Sequence, residues 1–189
     1  MMNRIKKTFI ISIAFLFLSS SAFSKDTIKI AMIEPMSGPL AAIGLDLIEG
    51  LEFFAERINK AGGVLGGRHL EVIAYDNQMI AEKTIQQLRK VIDEDIRYVT
   101  QGVGSNHALN IIQTLKKYNK RNPGKEVMFL NHSAVTTSFT NELCDFYHFR
   151  FDANVDMKVA GLVTQMANDP DVKKVYLLNQ NYAYGQSFQ

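Results

Sequence analysis

Residues 27–75, TIKIAMIEPMSGPLAAIGLDLIEGLEFFAERINKAGGVLGGRHLEVIAY, decide the fold. They open on a β-branched apolar run, Thr27 to Ile33, that reads as a buried strand. Residues 41–60 follow with Leu47, Leu51, Phe54 and Ile58 at spacings of four, three and four, the period of a helix with one apolar face. Gly62 and Gly63 stop that helix, and His69 to Tyr75 returns to a strand pattern. Strand, helix and strand in direct succession form an α/β unit.

The same switch of period repeats downstream. Ile80 to Ile92 reads as a second helix and Tyr98 to Gln101 as a short third strand. Ser105 to Tyr118 reads as a third helix, with Ser105 as its N-cap and Ile111, Ile112 and Leu115 on its apolar face. Asn122-Pro123-Gly124 breaks the chain before a fourth strand, Glu126 to Leu130. Right-handed crossovers fold this series into a Rossmann-like parallel sheet with helices on both faces. Beyond it, Phe146 to Phe151 is short and aromatic, Val155 to Met166 reads as a helix, and Val172 to Leu178 as a strand ending in Asn179-Gln180-Asn181. Gly185-Gln186-Ser187-Phe188 opens another helix just before the chain stops at Gln189, so the sequence is expected to end inside an α/β unit.

The first 24 residues read differently from the rest. Arg4, Lys6 and Lys7 precede a ten-residue apolar run, Phe9 to Leu18, too short to span a bilayer, and Ala22 and Ser24 supply small residues for cleavage before Lys25. An exported product is expected. The whole chain carries 21 Lys and Arg against 19 Asp and Glu, and without residues 1–24 the balance is 18 against 19. That near-neutral charge, without a long basic run, gives no reason to expect nucleic acid as a partner. Cys144 is the one cysteine, so no disulfide can form within the chain. His132, Cys144, Asp145 and His148 lack paired metal-ligand spacing, and neither a metal nor another cofactor is expected.

In open parallel sheets, ligands gather at the carboxyl ends of the strands, where helix N-termini present unpaired N–H groups and partial positive charge. Four segments lie there: 34–39 after the first strand, 102–106 after the third, 131–136 after the fourth, and 181–185 after the last. Their Gly and Ser residues suit a small anion such as a carboxylate, and the same residues also serve ordinary turns and caps.

Taken together, these segments resemble a known family. Ile33 to Pro39 (IEPMSGP) followed by Gly44, then Ile58 to Gly67 (INKAGGVLGG), then Tyr75-Asp76, look like the opening of the leucine/isoleucine/valine-binding proteins of ABC transporters. Tyr182 to Gln186 (YAYGQ) is similar to the tyrosine loop of that family's second lobe. The resemblance implies a type I periplasmic binding protein fold of two α/β lobes, with residues 25–149 as the first lobe and 150–189 as the crossover and start of the second. It also implies a monomeric, non-enzymatic receptor that captures a branched-chain or related amino acid, or a similar carboxylate, between the lobes and delivers it to an inner-membrane ABC permease. Ser105 falls where the family's serine holds the ligand carboxylate, with Asn106 beside it. Ser133, Ala134, Val135 and Thr136 fall on the ligand-gripping loop, with Val135 at the family's threonine and Thr136 one place later. Tyr184 matches the tyrosine that closes over the ligand, and the acidic partner of a ligand ammonium falls beyond Gln189. Arg150 and Asp152, where the lobes cross, suggest a hinge ion pair, and His107 reads as a solvated first-turn residue.

Two other classes remain open on the residues alone. An exported α/β enzyme could use Ser105, although Gly102-Val103-Gly104-Ser105-Asn106 departs from the G-x-S-x-G nucleophile elbow. A ligand-sensing receptor ectodomain would use the same fold.

Overall fold

The computed structural model describes residues 26–188, so the export-signal reading of residues 1–24 lies outside it. Strand β1 (Ile28–Glu34) leads to helix α1 (Ala41–Lys60), β2 (Leu70–Asp76), α2 (Ala81–Asp93), β3 (Tyr98–Gln101), α3 (Ser105–Arg121) and β4 (Met128–Asn131). A 3-10 turn at Thr137–Thr140 then precedes β5 (His148–Arg150), α4 (Val155–Ala167) and α5 (Ala183–Gln186). The five strands form one parallel sheet in the order β2-β1-β3-β4-β5. The chain moves outward from β1 to β2 and then back across to β3. Right-handed crossovers therefore set α1 on one face of the sheet and α2 and α3 on the other.

The larger core lies under α2 and α3. Ala31 and Ile33 of β1, Val99 of β3 and Phe129 of β4 meet Leu88 and Val91 of α2 and Ile111, Ile112 and Leu115 of α3, all nearly inaccessible to water. Alternation along each strand sends one set of side chains to this face, which is why these apolar runs behave as buried parallel strands. Two asparagines join helix ends to the strands that follow. Asn59 donates to the Leu70 carbonyl at 2.8 Å and accepts from the Leu70 amide at 2.7 Å, and Asn119 does the same for Val127 at 2.9 Å each way. Each amide side chain supplies the pairing that a neighbouring backbone would otherwise provide.

Helix α1 turns a different side inward from the one its apolar stripe suggests. Gly44, Ile48 and Ala55 are buried, whereas Phe54 and Ile58 are 57% and 36% exposed. A Cβ at Gly44 would sit 1.9 Å from the Pro35 carbonyl oxygen, so this glycine lets the helix lie almost on the chain leaving β1. Small residues decide the docking side here and leave the bulky ones flanking it.

The expected strand at 172–178 does not form. Those residues are neither helix nor strand, and Tyr176, Leu177 and Leu178 are 88%, 65% and 99% exposed. An apolar β-branched run becomes a strand only beside a partner, and none of the described strands lies alongside this one. The aromatic stretch at 146–151, by contrast, supplies β5, paired along β4 with Phe129 opposite His148.

Candidate functional site

The carboxyl ends of β1, β3 and β4 converge on one buried side chain. Glu34, the last residue of β1, is 0% exposed and accepts hydrogen bonds from the Gly102 amide at 2.7 Å, the Val103 amide at 3.3 Å and His132 Nε2 at 2.8 Å. A Cβ at Gly102 would come within 2.3 Å of Ser133 Oγ and 2.4 Å of His132 Cε1, so the glycine is required for the two loops to close on each other. Sequence reading passed over Glu34. The visible signal was an acidic residue ending an otherwise apolar strand, but its partners lie 68 and 98 positions away.

Asp76, at the end of β2, makes a second junction. It accepts from the Met36 and Gln78 amides at 2.9 Å each and from the Ser37 hydroxyl at 2.6 Å. Burial pushes this carboxyl upward, but the bonds from Ser37, Met36 and Gln78 outweigh it and leave Asp76 below the ordinary carboxylate range. The loop leaving β1 is thereby tied to the loop leaving β2.

Helix α3 begins on this edge. Gly104, not Ser105, occupies its N-cap position, with φ +89, a left-handed conformation that glycine adopts without strain. Ser105 is the first helical residue and is 2% exposed. The first-turn N–H groups of Ser105 and Asn106 have no carbonyl a turn earlier to receive them. His107 is not solvated as expected. It is 5% exposed, with Nδ1 2.7 Å from Thr84 Oγ1 of α2, and burial pushes its imidazole down despite the opposing charge of Glu34. With His107 engaged by Thr84 and His132 by Glu34, neither nearby imidazole serves Ser105 as a base.

The β4 loop divides into an outer and an inner part. Ser133 is exposed and His132 keeps 24% of its side chain accessible, whereas Ala134, Val135 and Thr136 are 1%, 3% and 7% exposed. Asn131 clamps this turn, donating to the Ala134 carbonyl at 2.7 Å and accepting from the Ala134 amide at 2.8 Å. The expected Arg150–Asp152 pair is replaced by two separate contacts. Arg150 donates to the Thr136 carbonyl at 3.0 Å and to Thr140 Oγ1 at 2.7 Å, while Asp152 pairs with Lys158 at 2.6 Å. Asn106 Oδ1 accepts from the Ala183 amide at 3.2 Å, which brings Tyr184 to the same side of the sheet as Ser105. Ser105, Asn106, Ser133 and Tyr184 therefore share one edge, and Ala134, Val135 and Thr136 lie buried in the same loop.

This edge is an open wall. A recess of about 550 Å³ lies at the opposite end, between the carboxyl ends of α2 and α3, and another of about 540 Å³, open to solvent, is lined by Leu177 to Gln180, Tyr184, Gly185 and Phe188. Among the described residues no His, Cys, Asp and Glu cluster has the makings of a metal site, and no helix is long and apolar enough to cross a membrane.

The profile of the family described as periplasmic binding protein matches residues 27–189. The chain belongs to that family. Among its relatives, the Leu/Ile/Val-binding protein homolog 4 of Brucella abortus is 35% identical over 164 residues, covering 86% of this chain and 39% of that protein. The crystal structure of a leucine-, isoleucine-, valine-, threonine- and alanine-binding protein from Brucella ovis, in its closed conformation, superimposes with a TM-score of 0.74 at 32% identity. It covers 86% of this chain and 42% of that one. A leucine binding protein from Thermotoga maritima shares the fold at a TM-score of 0.70 and 20% identity, covering 86% of this chain and 44% of that one. This periplasmic binding protein thus spans about two fifths of the length of the relatives it matches.

Proposed function

We propose that the protein is the substrate-binding component of an ABC transporter, capturing a branched-chain amino acid or a related small carboxylic acid between two lobes in the periplasm. The observation that carries this reading is the start of α3. Ser105 is buried without a base beside it, next to unpaired first-turn amides, on the edge where four loops meet. A hydroxyl and amides at a helix N-terminus donate to a carboxylate and supply no nucleophile activation, so the arrangement favours binding over hydrolysis. The ligand carboxylate rests on Ser105 and the Ser105–Asn106 amides, Ser133 borders it, and Tyr184 covers it from the second lobe. Residues 25–149 serve as the first lobe and 150–189 begin the second. The loaded receptor acts as a monomer and hands its solute to an inner-membrane permease.

Calorimetric titration of the full-length protein with leucine, isoleucine, valine and small organic acids tests the reading. Ser105→Ala is expected to weaken binding by about 1.5–3 kcal/mol, the range for a hydrogen bond to a charged group. Heat released only by sugars or cations would exclude it.

A further inference from the structure

The recess between the carboxyl ends of α2 and α3 carries a second set of binding groups, far from Ser105. Two helix rows border it. Ile85, Arg89 and Ile92 of α2 follow one another at spacings of four and three, and Thr114, Lys117 and Arg121 of α3 at three and four, so each set lies along one side of its helix. Ile92 and Tyr118 pack against the sheet core and give the recess an apolar floor, while Arg89, Lys117 and Arg121 stand exposed on its rim. Its volume of about 550 Å³ is that of a small-molecule site.

The rim holds more positive charge than the helix ends require. A cation in the last turn offsets the negative end of a helix dipole, and Lys90 on α2 and Lys120 on α3 do so from outside the recess. The acids that follow α2 are already engaged. Glu94 pairs with Lys90 at 3.8 Å and accepts from the Tyr75 hydroxyl at 2.5 Å, and Asp95 pairs with Arg97 at 3.0 Å. Asp93 is the one acid in the lining, and among the described residues it forms no ion pair with Arg89, Lys117 or Arg121. Two guanidinium groups and an ammonium therefore face one groove without an anion to hold.

Three cations discriminate between anions. A carboxylate has two oxygens to share among them, whereas a phosphate monoester presents three and carries nearly two negative charges at neutral pH. Guanidinium forks match phosphate oxygens in pairs, a lysine adds a point charge, and the floor of Ile92 and Tyr118 suits a hydrocarbon or aromatic body.

We infer that this recess is a second binding site, for a phosphate monoester carried on an apolar body. The phosphate is either that of a soluble ester or the headgroup of a phosphatidic acid. The inference goes beyond the solute site and stands whether or not Ser105 holds a carboxylate.

Calorimetric titration of the full-length protein with phenyl phosphate and with benzoate, at fixed ionic strength, tests it. The double substitution Arg89→Gln and Arg121→Gln is expected to weaken phenyl phosphate binding by about tenfold or more and to leave benzoate unaffected. Both side chains are exposed, so circular dichroism should show the fold intact. Ser105→Ala should leave phenyl phosphate binding unchanged. Sedimentation with vesicles of phosphatidylcholine and phosphatidic acid identifies the source. Co-sedimentation that the double substitution abolishes assigns the phosphate to a lipid, and binding of phenyl phosphate alone assigns it to a soluble ester. Failure of phenyl phosphate and the vesicles alike to bind overturns the inference, as does phenyl phosphate affinity that survives the double substitution or is lost with Ser105→Ala. Equal weakening of benzoate would reduce the recess to unselective charge and overturn it too.

Discussion

The sheet region, residues 28–150, and the tail, residues 151–188, have similar apolar patterning and opposite outcomes. Phe129 in β4 is 1% exposed, while Leu178, in an equally apolar run, is 99% exposed. In helix α3 seven residues are buried, whereas α4, only four residues shorter, buries Val155 alone. The difference is one of partners. Each strand from β1 to β4 has a ladder neighbour and a helix over at least one face, whereas the run at 172–178 has neither. Hydrophobicity marks a segment as able to enter a core, and only a complementary surface turns that into structure.

Stability measurements can break this comparison. Phe129→Ala is expected to lower the unfolding free energy by about 3–5 kcal/mol, the cost of an aromatic-sized cavity in a closed core. Urea denaturation followed by circular dichroism reads it, and a loss below about 1 kcal/mol, the level of an ordinary surface or minor core change, would mean that the sheet region is no tighter than the tail.

Glu34→Gln tests the junction that joins three strand ends. Removing the charge that two amides and His132 share is expected to cost about 1.5–3 kcal/mol. Amide exchange at Gly102 and Val103 should rise by more than at residues of β2, which Glu34 does not touch through its side chain. Uniform acceleration across the sheet would instead mean that the junction has no local role.

A smaller effect is expected from pH. Burial lowers both His107 and His148, and for His148 the nearby Arg150 charge adds to it. A histidine whose folded pKa lies below its unfolded value, about 6.5, stabilises the fold fully above that value. The contribution is lost as pH falls through 6.5 toward the folded pKa, because the unfolded chain takes up protons first. The urea midpoint should therefore fall between about pH 7 and pH 5, on either side of the unfolded histidine pKa. His107→Gln should flatten that slope. The tail carries no histidine, so its exchange rates, corrected for intrinsic pH dependence, should not follow the same curve. A slope unchanged by the substitution would remove His107 from the account.

Leu178→Ala should have the smallest effect of all. A nearly fully exposed side chain changes stability by no more than about 0.5 kcal/mol. A loss of 2 kcal/mol or so, the scale of a buried leucine, would show that this leucine is covered in solution and that the two regions are alike.

Much of the sheet region was legible from local pattern, and the exceptions are instructive. The spans of β1 to β4 and α1 to α3 follow from runs and periods that need no knowledge of distant residues, and Ile111, Ile112 and Leu115 do face the core. The docking side of α1 was not legible, because the largest apolar side chains suggested one face while Gly44 and Ala55 allowed closer approach on another. For the candidate site, position alone pointed to the loops at the strand ends, and the family resemblance singled out Ser105 within them. It did not separate the exposed Ser133 from the buried Ala134, Val135 and Thr136, since four successive loop residues have no period to read.

By itself, then, the sequence determined what is encoded by neighbours: the alternation of strand and helix, the stops at glycine and proline, and the loops that reach the carboxyl edge. Tertiary structure alone decided what depends on residues far apart in the chain. It bound Glu34 to His132 across 98 positions, buried His107 against Thr84, placed Arg150 on the Thr136 carbonyl, and left residues 172–178 without a ladder. Propensity and period act over a few residues, whereas burial and hydrogen-bond saturation depend on which surfaces meet, and no local pattern carries that information.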